Sequence, residues 1–185
     1  MEESDLDFIT HDEILHGNGQ LWIKSSHRNF KLDGERQVWY ANGQLEKREF
    51  YRNGIREGEF KLWYEDGQLR KQANYKNGML EGEVKVWYDH FRNKQLLEHS
   101  FYRNDKLDGS YKSWYGNGQL WRSEFRQDGN LEGYKRVWTA YGQLTKQEFY
   151  RNGKLDGECK YFLNKKFTTS HIYYQNGSQL LIGNL

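Results

Sequence analysis

Proline is absent from this sequence and cysteine occurs once. Without proline there is no Pro-rich linker, and strand backbones are free to donate hydrogen bonds throughout. A lone Cys159 excludes an intrachain disulfide. No apolar run is long enough to span a membrane as a helix. The opening residues Met-Glu-Glu-Ser-Asp lack the basic and apolar regions of a secretion signal. Together these features predict a soluble protein of a reducing, intracellular setting. Hydrophobic residues make up only 36% of the 185, low for a globule with one central core.

Aromatics, by contrast, reach 17%, and there are 19 glycines. Many aromatics among many charges suit a thin sheet with one buried face. Charge is unevenly placed. Residues 1–13 hold six carboxylates and no Lys or Arg, so the remainder carries +8 against +2 for the whole chain. An acidic leader that folds back on a basic array, or an anionic partner, fits that asymmetry.

The sequence repeats. An Asp-Gly or Glu-Gly pair ends at Gly34, Gly58, Gly82, Gly109, Gly133 and Gly157, with steps of 24, 24, 27, 24 and 24 residues. A large aromatic follows five residues later: Trp39, Trp63, Trp87, Trp114, Trp138 and Phe162. Then comes Gly-Gln-Leu at Gly19, Gly43, Gly67, Gly118 and Gly142, with Lys94 in place of the glycine once. The third landmark is Tyr-Arg-Asn-Gly, as at Tyr51–Gly54 and Tyr150–Gly153, with Asp105 replacing its glycine once. Asn-Gly pairs tolerate the positive φ of tight hairpin turns. Between the turns the residues alternate with period two. Phe60, Leu62 and Tyr64 share one face, and Glu59, Lys61 and Trp63 the other. Each unit therefore reads as two strands, and stacked hairpins build one antiparallel sheet whose equivalent residues align in columns.

The pattern [Asp/Glu]-Gly-Glu-x-x-x-Trp-Tyr-x-[Asn/Asp]-Gly-Gln-Leu, followed by Tyr-x-Asn-Gly, resembles the MORN repeat in its variant form. That form occurs in bacterial YwqK-type proteins labelled antitoxins and in large DNA viruses of amoebae. The resemblance implies an all-β fold: an elongated, twisted antiparallel β-hairpin solenoid with a period of about 24 residues. It implies a non-enzymatic scaffold or binding module, with no catalytic residues and no cofactor. The expected organisation is an acidic leader or cap over 1–16, a repeat array over 17–180, and an apolar tail over 181–185. The array begins with a half-unit at 17–33, and units start near 34, 58, 82, 109, 133 and 157. The insertion at 89–94 is expected to bulge or bend the sheet. Asn164–Phe167 replaces an expected turn.

Three sets of residues are candidates for contact. Trp39, Trp63, Trp87, Trp114 and Trp138, with Tyr40, Tyr64, Tyr88 and Tyr115, could grip a protein partner. The alternative is that each Trp packs over a neighbouring glycine and only seals the sheet. Arg28, Arg52, Lys76, Arg103 and Arg151 could meet phosphates of an anionic membrane surface. An acidic column five residues on (Asp33, Glu57, Glu81, Asp108, Glu132, Asp156) could instead neutralise them. Leu180, Leu181, Ile182 and Leu185 could cap the last strand or join two copies into a homodimer. A nucleic-acid partner is not expected. The function expected first is a protein-interaction scaffold. Peripheral binding to anionic lipid and antitoxin-like neutralisation of a protein partner are the alternatives. Scattered histidines lack metal-ligand spacing, so no metal is expected. Cys159 takes a slot equivalent to Phe60 and Val84, as a buried thiol would. Carboxylates that recur along the chain argue for structure, since an active site is needed once.

Overall fold

The computed structural model describes residues 7–89, 94–163 and 168–184. Among these residues, eighteen strands form one open antiparallel sheet. In chain order they are β1 (Ile9–Leu15), β2 (Leu21–Arg28), β3 (Lys31–Trp39), β4 (Leu45–Arg52), β5 (Ile55–Arg56) and β6 (Gly58–Trp63). Next come β7 (Leu69–Lys76), β8 (Met79–Leu80), β9 (Gly82–Trp87), β10 (Leu96–Arg103), β11 (Lys106–Trp114) and β12 (Leu120–Gln127). The last six are β13 (Asn130–Trp138), β14 (Leu144–Arg151), β15 (Lys154–Leu155), β16 (Gly157–Leu163), β17 (Thr168–Gln175) and β18 (Ser178–Asn184). Each strand pairs with those next to it in sequence, so the sheet is a continuous meander. The two-residue strands β5, β8 and β15 are the first parts of β6, β9 and β16, separated from them by a bulge.

Two kinds of turn alternate. At Asn53-Gly54 both residues have positive φ (51° and 81°), the two-residue turn that matches strand twist. Asn42-Gly43 differs from that expectation, because only Gly43 is left-handed. There Gly43 N donates to Tyr40 O (2.9 Å) and Tyr40 N to Gln44 O (2.8 Å), closing a three-residue loop with a glycine bulge. The Asp/Glu-Gly pairs are bulges too: pairing shifts by two residues between His27↔Leu32 and Ser25↔Arg36. The glycine there has φ of 95° at Gly58 and 102° at Gly34. Such bulges bend the strands.

One face is buried. Phe60, Ala73 and Val84 form its apolar centre, with Leu62, Tyr75, Leu80, Val86 and Tyr102 against them. Alternation leaves Glu59, Lys61 and Trp63 on the other, open face. Residues 90–93 of the insertion lie outside the described residues, and the register of the strands on either side of it is unchanged. Pairing of β9 with β10 keeps the single-residue shift found between β6 and β7. Lys94 adopts the left-handed conformation (φ 55°) of the usual loop glycine. Tyr88 N still closes that loop onto Gln95 O at 2.9 Å. The Asn164–Phe167 segment lies outside the described residues.

Candidate functional site

The recurring residues bind each unit to the next along both rims of the sheet. On the long-loop rim, Tyr40 Oη donates to Trp63 O (2.8 Å), Tyr64 to Trp87 O (2.8 Å), Tyr88 to Trp114 O (2.9 Å) and Tyr115 to Trp138 O (2.9 Å). His16 takes the tyrosine slot of the first unit, its Nε2 lying 2.8 Å from Trp39 O. Asn42 Nδ2 donates to Glu65 O (2.9 Å) in the next loop, while its Oδ1 accepts Gln44 N. The glutamine of Gly-Gln-Leu lies over the next unit's loop glycine, as Gln20 does over Gly43. The four tyrosine hydroxyls of the expected contact surface are thus spent on the fold. The five tryptophans of that surface are half-buried. No tryptophan lies over a bulge glycine: phenylalanines approach Gly58, Gly109 and Gly157, and Ser26 approaches Gly34. A Cβ on Gly109 would stand 3.0 Å from Phe101, and one on Gly157 3.3 Å from Phe149.

On the opposite rim, Gly54 N donates to Leu32 O (2.7 Å) and Gly78 N to Arg56 O (2.9 Å), so successive tight turns are linked directly. The acidic column accepts backbone amides one unit on: Asp33 from Asn53 (3.0 Å), Glu57 from Asn77 (2.7 Å), Glu132 from Asn152 (2.8 Å). Within the basic column, Arg28 lies 3.8 Å from Asp33, Arg103 2.8 Å from Asp108 and Arg151 3.2 Å from Asp156. Arg52 and Lys76 pair with no carboxylate among the described residues; both line a shallow depression with Phe50, Tyr51, Tyr75 and Glu57, whose carboxylate accepts the Asn77 amide.

At the first edge, Ile9–Leu15 pairs with β2 along its whole length, and Glu13 and Asp7 meet Lys24 (2.8 Å) and Arg28 (3.1 Å). Ile9, Ile14 and Leu15 stay exposed, so the strand is joined by its backbone rather than by apolar burial. At the other end Leu181 and Ile182 belong to β18, Leu180 is exposed, and Leu185 lies outside the described residues.

Sequence reasoning did not find the carboxylates inside. Glu49 has no exposed surface at all, and Glu124 and Glu148 are nearly as buried, in the column that holds Ala73 and Ser100 elsewhere. Glu49 accepts Arg36 Nη1 (2.8 Å) and lies 3.2 Å from Lys47 Nζ. Arg56 Nη2 is 3.0 Å from its other oxygen, without hydrogen-bond alignment. Burial pushes the Glu49 carboxyl up. The Arg36 hydrogen bond, with Lys47 and Arg56, outweighs it, and the group stays below its ordinary value. Glu124 takes Arg122 and Arg126 (2.7 and 2.8 Å). Glu148 takes Lys146 (2.8 Å) and the hydroxyls of Tyr161 (3.0 Å) and Tyr150 (3.1 Å). Burial, opposed by Lys146 and Tyr161, again leaves the Glu148 carboxyl below its ordinary value. Cys159 is fully buried, and burial pushes its thiol up.

The open face carries the remaining irregularity. Its carboxylate–cation pairs run as Glu35–Arg48, Glu59–Lys61 and Glu83–Lys85, and return at Glu158–Lys160. In the two units between, Ser110 and Tyr134 replace the glutamates, beside Lys112 and Arg136. Phe125 and Tyr134 are 48% and 44% exposed there.

No curated protein matches the chain significantly. The family model described as MORN repeat variant matches residues 32–53, 56–77, 107–128 and 143–164. Residues 78–106 and 129–142 fall outside those matches, but 78–89, 94–106 and 129–142 build strands and turns of the same kind. Repeats of this type are generally protein- or membrane-binding modules and are not catalytic in themselves. No helix is long and apolar enough to cross a membrane among the described residues. With the rim bonds and alternating turns recurring through them, the four matched stretches are MORN repeats of the variant type.

Proposed function

We propose that the chain is a non-enzymatic protein-interaction scaffold whose open face is the contact surface. One observation carries this reading: the residues that recur from unit to unit are consumed in unit-to-unit bonds at the rims. The side chains that vary on the open face take no part in those bonds and face outward. The Trp column belongs to the same face, at the long-loop margin. Half-buried aromatics on a rigid sheet are suitable anchors for a partner. Photo-crosslinking tests the reading. Benzoylphenylalanine at Phe125 should capture a discrete protein from the source cells, and the same group at exposed Tyr141 on a loop should not. A folded chain that crosslinks nothing from any open-face position refutes it.

Peripheral association with anionic lipid has one observation in its favour, the two unpaired cations Arg52 and Lys76 beside an exposed depression. Co-sedimentation with phosphatidylserine vesicles should then fall with salt and with Arg52→Glu. Salt-independent sedimentation counts against it.

A further inference from the structure

Between β11 and β14 the open face departs from the rest of the array in charge and in apolarity together. The slot one residue after the bulge glycine is Glu35, Glu59, Glu83 and Glu158 in four units, and each lies within ion-pair distance of a neighbouring cation. In the units starting near 109 and 133 it is Ser110 and Tyr134. The cations of those two units remain. Lys112 is exposed and pairs with no carboxylate among the described residues. Arg136 donates to neutral Gln147 (2.7 Å) and its guanidinium lies 4.6 Å from the centre of the Tyr134 ring. The carboxylates on the rim of the same strands are occupied: Asp108 by Arg103, and Glu132 by the Asn152 amide.

Aromatic rings fill the space beside these cations. Phe125 lies opposite Ser110, and Tyr134 lies opposite Phe149, their rings edge-on at 5.0 Å. A Cβ on Gly133 would meet nothing within 4 Å, so Phe125 does not lie over its bulge glycine as Phe101 and Phe149 do over theirs. Two rows result, both crossing the strands. One is aromatic (Phe125, Tyr134, Phe149) and one is cationic (Lys112, Arg136). Phe125 and Phe149 are two strands apart, about 10 Å, and so are Lys112 and Arg136. An extended peptide laid across the strands places alternate side chains about 7 Å apart on each of its two edges. Acidic side chains on one edge and apolar ones on the other would meet both rows.

We infer that this patch binds an acidic, apolar-alternating linear segment of a partner protein. The inference rests on the scaffold reading and adds the chemistry of the partner. A single-stranded nucleic acid is the weaker fit. Its affinity comes from many neutralised phosphates, and the patch offers only Lys112 and Arg136 on a chain of net charge +2.

The test uses the full chain and a fluorescein-labelled peptide, Gly-Ser-Asp-Phe-Asp-Leu-Asp-Phe-Gly. A counterpart with Lys for each Asp and a labelled oligo-dT strand serve as comparisons. The acidic peptide should bind saturably by anisotropy, and more weakly as salt rises. The double variant Ser110→Glu/Tyr134→Glu restores the glutamates that the other units tolerate. It should keep the parental unfolding midpoint and lose affinity by at least about tenfold. Ser110→Gln/Tyr134→Gln should keep the salt dependence and lose only the aromatic contribution. Absence of acidic-peptide binding, equal binding by the glutamate variant, or preference for the basic peptide or oligo-dT would each overturn the inference. The scaffold reading fails separately, by the absence of crosslinks across the whole open face.

Discussion

Replacing Glu49 by glutamine should cost more than any other single loss of charge in the N-terminal half. The side chain has no exposed surface, and Arg36, Lys47 and Arg56 converge on it. Removing the charge from a buried ion pair costs about 3–5 kcal/mol, because the partners remain desolvated and unmatched. Here the three cations are 22%, 27% and 33% exposed and can partly turn to water, so the low end, about 3 kcal/mol, applies. For a chain of this size that corresponds to a fall of about 6–12 °C in melting temperature. Glu35→Gln, which breaks an exposed pair with Arg48, should cost less than about 1 kcal/mol. Acid should erase the difference between the parent and Glu49→Gln. The folded carboxyl lies below its ordinary value of 4.5. The stability it contributes is therefore complete above that value and is lost as pH falls through the lower folded one. Thermal unfolding followed by circular dichroism at neutral and at strongly acidic pH reads both effects. A Glu49→Gln melting temperature within about a degree of the parent at neutral pH would refute the reasoning, because it would mean that the cluster is solvated.

Tyr64→Phe should destabilise by about 1 kcal/mol by leaving the Trp87 carbonyl unpaired, and Tyr115→Phe should add to it independently, since the two share no partner; chemical denaturation checks both. Phe30 holds a left-handed φ of 63° while 88% exposed, its ring contact being Phe8 at 5.7 Å. Phe30→Gly should therefore stabilise by about 1 kcal/mol, and a lower melting temperature would show that the ring contact outweighs the strain. The Cys159 thiol should resist Ellman's reagent in the native chain and react at the rate of opening, because burial both shields it and disfavours the thiolate.

The architecture was legible because its determinants are local. Asn53-Gly54 and its equivalents specify turns within two residues, and the period between them fixes which strands become neighbours. The rim bonds were not legible. Tyr64 reaches a carbonyl 23 residues away, and nothing in the tyrosine itself distinguishes a donor to the next unit from an exposed anchor. The buried glutamates were hidden for a related reason. Alternation put Lys47, Glu49 and Tyr51 on one face without saying that the face is the buried one. Only the convergence of cations from β3, β4 and β5 makes a carboxylate tolerable there. The acid-poor patch could have been read from sequence. Aligning the residue after each bulge glycine shows Ser110 and Tyr134 breaking a run of glutamates. The signal lay in the exceptions to the repeat, whereas the expected contact residues were its most regular members.

The bonds that link successive turns at both rims also govern how the array answers to force. A pull along the stacking direction loads each strand pair like a zipper, opening its hydrogen bonds one after another from an end. The tyrosine and asparagine bonds at one rim, and the glycine amide and carboxylate bonds at the other, lie where such peeling must begin. Each unit then yields as a discrete step rather than by gradual fraying, and under tension the array would lengthen in increments of one hairpin.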